Sequence, residues 1–197
     1  MIILVRHGRT EFNEAGRYQG ASDSPLTALG RDQARQVGRL IASLAEGEVR
    51  LWSSPLGRAV ATAEIIKNTA GLPGPITLDP RLREISLGVW DGLTDEEIEA
   101  VSPNARDGAT RFDCFFRSPD GESFEEAASR LREWLSDVER LPECHVAVSH
   151  GLSGRILRGI YAGLPKEETL RLDVPQDKVF VLAMGRIVET AEVRHAD

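Results

Sequence analysis

An imidazole held between an arginine and a glycine closes the first apolar run of the chain, Leu4-Val5-Arg6-His7-Gly8. Strand ends in α/β proteins are where ligands sit, because the chain turns there and frees backbone groups. Arginine presents a planar fork of donors that matches phosphate oxygens in pairs. A neutral histidine is a nucleophile that can still change protonation near pH 7, and glycine lets the backbone approach a ligand closely. Together they suggest a phosphoryl group bound by Arg6 and transferred to His7. The same residues also read as a turn carrying a satisfied histidine, and three residues alone do not separate the two.

Three further segments raise the first reading. Ser149-His150-Gly151 repeats its logic, following an apolar run and preceding a helical pattern. The first N–H groups of that helix would face a bound anion. Arg58 lies just after another apolar run, in the first turn of a predicted helix, where a cation opposes the helix dipole. A bound anion explains that position, and a solvated surface charge is the alternative. Glu84 carries a carboxyl group of the kind that protonates a leaving alkoxide and then activates water, although on its own it is one glutamate among many.

The elements that must position these residues are legible as hydrophobic periods. Residues 2–5 read as a buried strand, residues 9–23 as a loop with one helical turn, and Pro25-Leu26-Thr27 as a helix opening. Ala34, Val37, Leu40, Ile41 and Leu44 follow the helical period. Residues 49–52 form a second strand, and Ser53-Ser54-Pro55 starts a helix that runs to about Ala70. The Gly/Pro-rich 71–75 stretch ends it, and residues 76–78 form a third strand. Residues 82–121 are irregular, with a short helix over 94–101, and are expected to be a cap over the site rather than core. Ser123 and Glu126 form a capping box for a helix whose apolar face carries Phe124, Ala127, Leu131, Leu135, Val138 and Leu141. Residues 146–148 are a strand, 152–162 a helix, and 179–184 and 187–193 two strands joined at Gly185-Arg186. The class is α/β: one domain over residues 1–197, with a mostly parallel central sheet, helices on both faces and a small, partly helical cap.

Bulk properties bound the function. The chain has 197 residues, 41% of them hydrophobic and 28% charged, as in ordinary globular domains. A formal net charge of −7 argues against nucleic-acid and membrane-surface binding, so any basic pocket is local. Cys114 and Cys144 form no zinc pattern or disulfide framework and are expected to be single buried thiols. The first residues are too short a run for a signal peptide, and no transmembrane-length stretch follows, which makes the cytoplasm the default expectation. A homodimer is compatible with the sequence without being indicated by it.

Taken together and in order, the motifs resemble the histidine phosphatase superfamily, the phosphoglycerate mutase-like family. They are Arg6-His7-Gly8, Asn13, Arg17-x-Gln19-Gly20, Pro25-Leu26-Thr27-x-x-Gly30, Ser53-Ser54-Pro55-Leu56-x-Arg58-Ala59-x-x-Thr62-Ala63, the Glu84 segment, Gly121-Glu122-Ser123 and Ser149-His150-Gly151. They span almost the whole chain. The resemblance implies His7 as the phosphorylated nucleophile, with Arg6, Arg58 and His150 neutralising the phosphoryl oxygens. It implies Glu84 as general acid and then base, and Asn13, Gln19, Gly20 and Gly151 lining the phosphate site. Glu122 is expected to be structural. Arg9 stands where many relatives carry an acidic or neutral residue, and reads either as part of the cationic rim or as a surface residue without a role.

Two arginines and a histidine supply the charge stabilisation that phosphoryl transfer requires, so no metal and no cofactor is expected. The expected partner is a small phosphomonoester. The short Leu87-Gly88-Val89-Trp90-Asp91-Gly92 segment and the end of the chain soon after its last strand resemble the short bacterial phosphatases. Phosphomonoester hydrolysis is therefore favoured over mutase-type transfer and over a catalytically idle phosphate-binding protein. Trp90, Phe112, Phe115 and Phe116 read either as an apolar wall for the substrate or as the cap's own core.

Overall fold

The computed structural model describes residues 1–176 and 178–189. Strand β1 (Ile2–Arg6) is apolar on both faces because both are covered: Ile2 and Leu4 join one hydrophobic cluster, Ile3 and Val5 the other. With β2 (Val49–Ser53), β3 (Ile76–Leu78), β4 (Cys144–Ser149), β5 (Val179–Ala183) and β6 (Arg186–Glu189) it forms one sheet in the order β3-β2-β4-β1-β5-β6. The first four strands of that order run parallel, and β5 and β6 run antiparallel.

A single helical turn, α1 (Glu11–Glu14), follows β1, then α2 (Ala28–Leu44) and α3 (Gly57–Ala70) cover the face of Ile3 and Val5. Val37 and Ile41 of α2 meet Ala59, Ala63 and Ile66 of α3 there. After the short α4 (Asp95–Val101), helices α5 (Phe124–Val138) and α6 (Gly151–Tyr161) cover the opposite face with Leu131, Trp134, Ile156 and Leu157. Helix α5 has the expected capping box, Ser123 with Glu126, and α3 ends at Gly71 in the left-handed conformation.

Several expectations are corrected. The 82–121 segment is irregular, but Leu82, Ile85, Leu87, Trp90 and Ile98 are buried in the same cluster as Leu4 and Trp134. These five residues complete the sheet–helix core, while Phe115 of the same segment lines the site. Of its aromatic residues, Trp90 is core and donates from Nε1 to Ser102 Oγ at 2.9 Å. Phe116 packs edge-on against Phe124, and Phe115 faces the site. Helix α3 starts at Gly57, because the Ser54 amide is still bonded to the Val148 carbonyl of β4 at 2.9 Å.

The β5–β6 turn is Met184-Gly185, one residue earlier than expected, with positive φ at both. Beyond residue 189 the expected last strand lies outside the described residues. A short α7 (Lys166–Thr169) was not signalled by any period. Cys144 is buried as expected, while Cys114 is only half-buried.

Close backbone contact fixes the first turn of α2 against the loop after β1. Thr27 Oγ1 accepts the Gly30 N–H at 3.0 Å, and the Thr27 N–H donates to the Arg9 carbonyl at 2.9 Å. A Cβ on Gly30 would overlap the Arg9 carbonyl oxygen and stand 2.7 Å from the Arg9 nitrogen. Gly30→Ala is accordingly expected to cost about 1–3 kcal/mol by overpacking and to displace the His7-Gly8-Arg9 loop. Urea midpoints test this, and an unchanged midpoint would show that the loop yields freely.

Candidate active site

Strands β1 and β4 are neighbours, with Arg6 opposite Ser149, so the chain leaves both strands side by side at His7 and His150. Their ring centroids are 5.2 Å apart. The His7 N–H extends the ladder by donating to the Ser149 carbonyl at 3.0 Å. His7 Nδ1 lies 2.8 Å from the Gly8 carbonyl oxygen. A carbonyl can only accept, so Nδ1 carries the proton and Nε2 keeps its lone pair. Arg58 Nε donates to that lone pair at 3.3 Å. Burial, reinforced by Arg6 and Arg58, holds the His7 pKa well below its ordinary value. Gly8 in turn donates its N–H to Thr62 Oγ1 at 3.1 Å, which ties the His7 loop to α3.

Arg58 is itself buried, and the loop before α2 is shaped around it. Its Nη2 donates to the Gly20 carbonyl at 2.9 Å and its Nη1 to the Ser22 carbonyl at 2.7 Å, with Asp23 Oδ1 at 3.2 Å. The same Asp23 oxygen accepts the Arg58 N–H at 3.2 Å, supplying from outside the cap that Leu56 cannot provide. Gly20 has φ +50, and a Cβ there would overlap Asp91 Oδ1. The Gly20 carbonyl thus serves Arg58.

The Glu84 carboxylate lies at the start of α6. Oε1 accepts the N–H groups of Ile85 at 3.0 Å and Ser153 at 2.9 Å, and Oε2 accepts that of Leu152 at 3.1 Å. This corrects one expectation: two of the helix's first N–H groups face the protein's own carboxylate. Glu122 is structural as expected. Its carboxylate takes a two-pronged bond from Arg130, at 2.7 and 2.8 Å, and another from Arg83 at 3.1 Å. Arg6 donates to the Val174 carbonyl from Nη1, while its Nε is buried without a partner. Burial pushes its pKa down to about 10, against the pull of Glu84.

Arg6, His7, Asn13, Gln19, Gly20, Arg58, Glu84 and Gly151 all line one cavity of about 320 Å³. His150 stands behind them, with Nε2 2.7 Å from Ser54 Oγ and Nδ1 buried and unpartnered. Asn13 Oδ1 also accepts from Gln176 Nε2 at 2.9 Å. Arg9 is not among the lining residues and faces Glu14 at 3.6 Å.

Three polar lining residues were given no role from the sequence, although Arg17 was quoted within a motif. Arg17 is tied to Glu97, Tyr18 is tied to Asp95, and Arg155 follows Gly151 by four residues on α6. That helical spacing was the available signal for Arg155. Among the described residues no group of three or more metal-ligating side chains occurs, and no helix is long and apolar enough to cross a membrane.

A buried neutral histidine among arginines and a carboxylate can accept and release a phosphoryl group. The family model described as histidine phosphatase superfamily (branch 1) matches residues 2–192. The chain belongs to the histidine phosphatase superfamily. Among its superfamily relatives, the "Probable phosphoglycerate mutase GpmB" of Enterobacter sp. (strain 638) is 40% identical over 215 aligned positions, covering 100% of this chain and 94% of the relative. The solved structure of Bacillus stearothermophilus YhfR is 30% identical with a TM-score of 0.80, covering 99% of this chain and 97% of its own. A mycobacterial glucosyl-3-phosphoglycerate phosphatase complexed with VO3 is 29% identical with a TM-score of 0.75, covering 91% and 92%. Members with phosphatase names and members with mutase names thus both resemble this one.

The two buried histidines make stability depend on pH. Burial lowers the pKa of both His7 and His150 in the folded protein. The unfolded chain therefore binds more protons as pH falls below about 6.5. Stability is expected to be full above that pH and to drop below it by roughly 1.4 kcal/mol per pH unit per histidine. Urea midpoints between pH 7.5 and 5.5 measure the slope, which the His7→Gln/His150→Gln double variant should flatten. An unaltered slope would mean that both imidazoles take up protons in place.

Proposed function

We propose that this protein hydrolyses small phosphomonoesters through a phosphohistidine at Nε2 of His7. The observation that carries the reading is the fixed tautomer: Nδ1 is committed to the Gly8 carbonyl, and Nε2 points its lone pair toward Arg58 in the cavity. In the first half-reaction Nε2 attacks phosphorus, the ester P–O bond breaks, and Glu84 gives its proton to the departing alkoxide. In the second, Glu84 takes a proton from water, the hydroxyl oxygen attacks phosphorus, and the P–N bond breaks to free phosphate and His7.

Arg58 Nε transfers its hydrogen bond from His7 to a phosphoryl oxygen. Arg6 Nε and His150 Nδ1, both buried and unpartnered, supply further donors there. Asn13, Gln19 and Gly151 line the same space. Glu84 Oε2, with the Leu152 N–H as its one bond, is the oxygen free to carry the proton. These groups supply the positive field themselves, so turnover is expected to be metal-independent and without a cofactor. A cytoplasmic setting is part of the same proposal.

Mutase-type transfer is the second reading, favoured by the 40% identical relatives that carry a mutase name. It shares the first half-reaction and differs only in the acceptor. Hydrolysis is preferred on the short 87–92 segment, which resembles the short bacterial phosphatases. The likeness to a phosphatase structure supports the same choice.

The deciding experiment is phosphate release from a panel of phosphomonoesters, with chelator present. His7→Ala should abolish both release and the acid-labile phosphoenzyme, and substantial surviving hydrolysis would refute the assignment. Glu84→Gln should slow alkyl esters by roughly a hundredfold or more and p-nitrophenyl phosphate far less. Equal losses would make Glu84 structural. Transfer between positions of phosphoglycerate without release would establish the mutase.

A further inference from the structure

Ser54 is fully buried and stands against the second histidine of the site. Its backbone is fixed independently of its side chain. The amide donates to the Val148 carbonyl of β4 at 2.9 Å, and the carbonyl accepts the Ser53 hydroxyl at 2.8 Å. Pro55 follows and disfavours a helical conformation at residue 54, which keeps it out of α3. Because β2 and β4 are paired neighbours, the Ser54 side chain meets the residue two positions past Val148. That residue is His150, and Ser54 Oγ lies 2.7 Å from its Nε2.

A hydroxyl has one proton to give and two lone pairs to accept with. Ser54 Oγ accepts the Leu56 N–H at 3.3 Å, and among the described residues the one acceptor within reach of its proton is His150 Nε2. Placing the ring proton on Nε2 instead would make Oγ accept twice. The hydroxyl proton would then be buried without a partner, and Nδ1 would hold a buried lone pair. Both orphans are costly. The first arrangement leaves a single open group, the Nδ1–H, and a bound anion can fill it. Burial, with Arg58, His7 and Arg6 close by, keeps the ring from taking a second proton, so its tautomer decides what Nδ1 presents.

His7 and His150 then carry the proton on the same ring atom for opposite uses. In His7 the Gly8 carbonyl takes the Nδ1–H and frees the Nε2 lone pair. In His150 the Ser54 hydroxyl takes the Nε2 lone pair and frees an Nδ1 that has no partner in the protein. The two rings are 5.2 Å apart, and Arg6 and Gly151, which line the cavity, also border His150 in a smaller recess. We propose that Ser54 is a positioning residue that fixes His150 as the Nδ1–H tautomer, making it a neutral donor to the phosphoryl group. This rests on the phosphohistidine reading above, in which His150 is one of the donors. A neutral donor adds no further charge beside Arg6 and Arg58. A role for the hydroxyl only in holding Leu56 leaves the shorter contact to His150 unexplained.

The test is long-range proton–nitrogen correlation NMR on isotope-labelled protein at about pH 8, above the ordinary histidine range, with His150→Gln identifying the ring signals. In the parent protein Nδ1 should have the shift of a protonated nitrogen and Nε2 that of a bare one. The reverse overturns the proposal without any variant at position 54. Ser54→Ala should move the Nε2 signal toward the protonated form and weaken binding of inorganic phosphate roughly 10- to 100-fold. Ser54→Thr, which keeps the hydroxyl, should keep the parent tautomer and most of the affinity. Weaker binding with an unmoved tautomer in the Ala protein would make Ser54 merely structural and refute the proposal, as would unchanged binding. Melting curves report folding. If the Ala protein does not fold, the Thr protein decides, and loss of the parent tautomer there refutes the proposal. Phosphate release from phosphomonoesters by the parent protein is read separately. The expected tautomer and loss of phosphate binding without any release overturn the hydrolase reading alone. Release by a parent protein that carries the His150 proton on Nε2 overturns the role of Ser54 alone.

Discussion

Positive charge has to be buried beside a histidine that must remain neutral, and most of the structure around the cavity follows from that. An arginine in a low-dielectric site needs acceptors, and a carboxylate in direct contact would cancel the field it is there to provide. Arg58 resolves the conflict mainly with backbone carbonyls. Gly20 and Ser22 turn their oxygens inward, and the half-exposed Asp23 adds one bond at the rim. The left-handed Gly20 is the cost of bending the loop that way. Burial, with Arg6 and Arg58 beside it, keeps the His7 imidazole unprotonated. Binding and nucleophilicity therefore come from one arrangement.

Sheet order turns that local arrangement into a site. Strand β4 inserts between β2 and β1, and three segments distant in sequence end at one edge: Arg6-His7, Ser53-Ser54 and Ser149-His150. Ser54 bonds His150 across this seam at 2.7 Å. Glu84 arrives from the irregular stretch and is held by α6 through Leu152 and Ser153, while the residues just before it are held by Arg130 of α5, which bonds the Arg81 carbonyl, and by Glu122, which takes Arg83. That stretch is rigid enough to present an acid because Leu82, Ile85 and Leu87 are anchored in the core.

The sequence displays what is periodic or tightly spaced. Both histidines and Arg58 stand out at the ends of apolar runs, and the α2 and α5 faces follow from the helical period, so strands and helices can be placed from pattern, whereas the roles of those three residues rest on the ordered set of motifs. Glu84 is different: no period marks it, and only the ordered set of motifs singles it out. Residues 82–121 were misjudged because their apolar positions are spaced irregularly, and burial there depends on α5 and α6, which come later in the chain. Arg155 was missed for a related reason. A cation on an amphipathic helix looks like a solvated charge until the cavity beside it is seen. The occupation of the α6 N-terminus by Glu84 could not be read from pattern either, since a helix start attracts any nearby anion, including one supplied by its own chain.

The net charge of −7 would repel an anionic substrate if all charges counted equally, but they do not. At physiological ionic strength exposed charges are screened beyond about 8 Å, so the surface carboxylates contribute little inside the cavity. Among its lining residues Arg17 is balanced by Glu97, and Arg58 is partly balanced by Asp23. Arg6 faces Glu84, and Arg155 faces Glu84 and Asp173. The site is thus cationic by a small margin, and that margin sits on the Glu84 side. One phosphoryl group satisfies the His7 end.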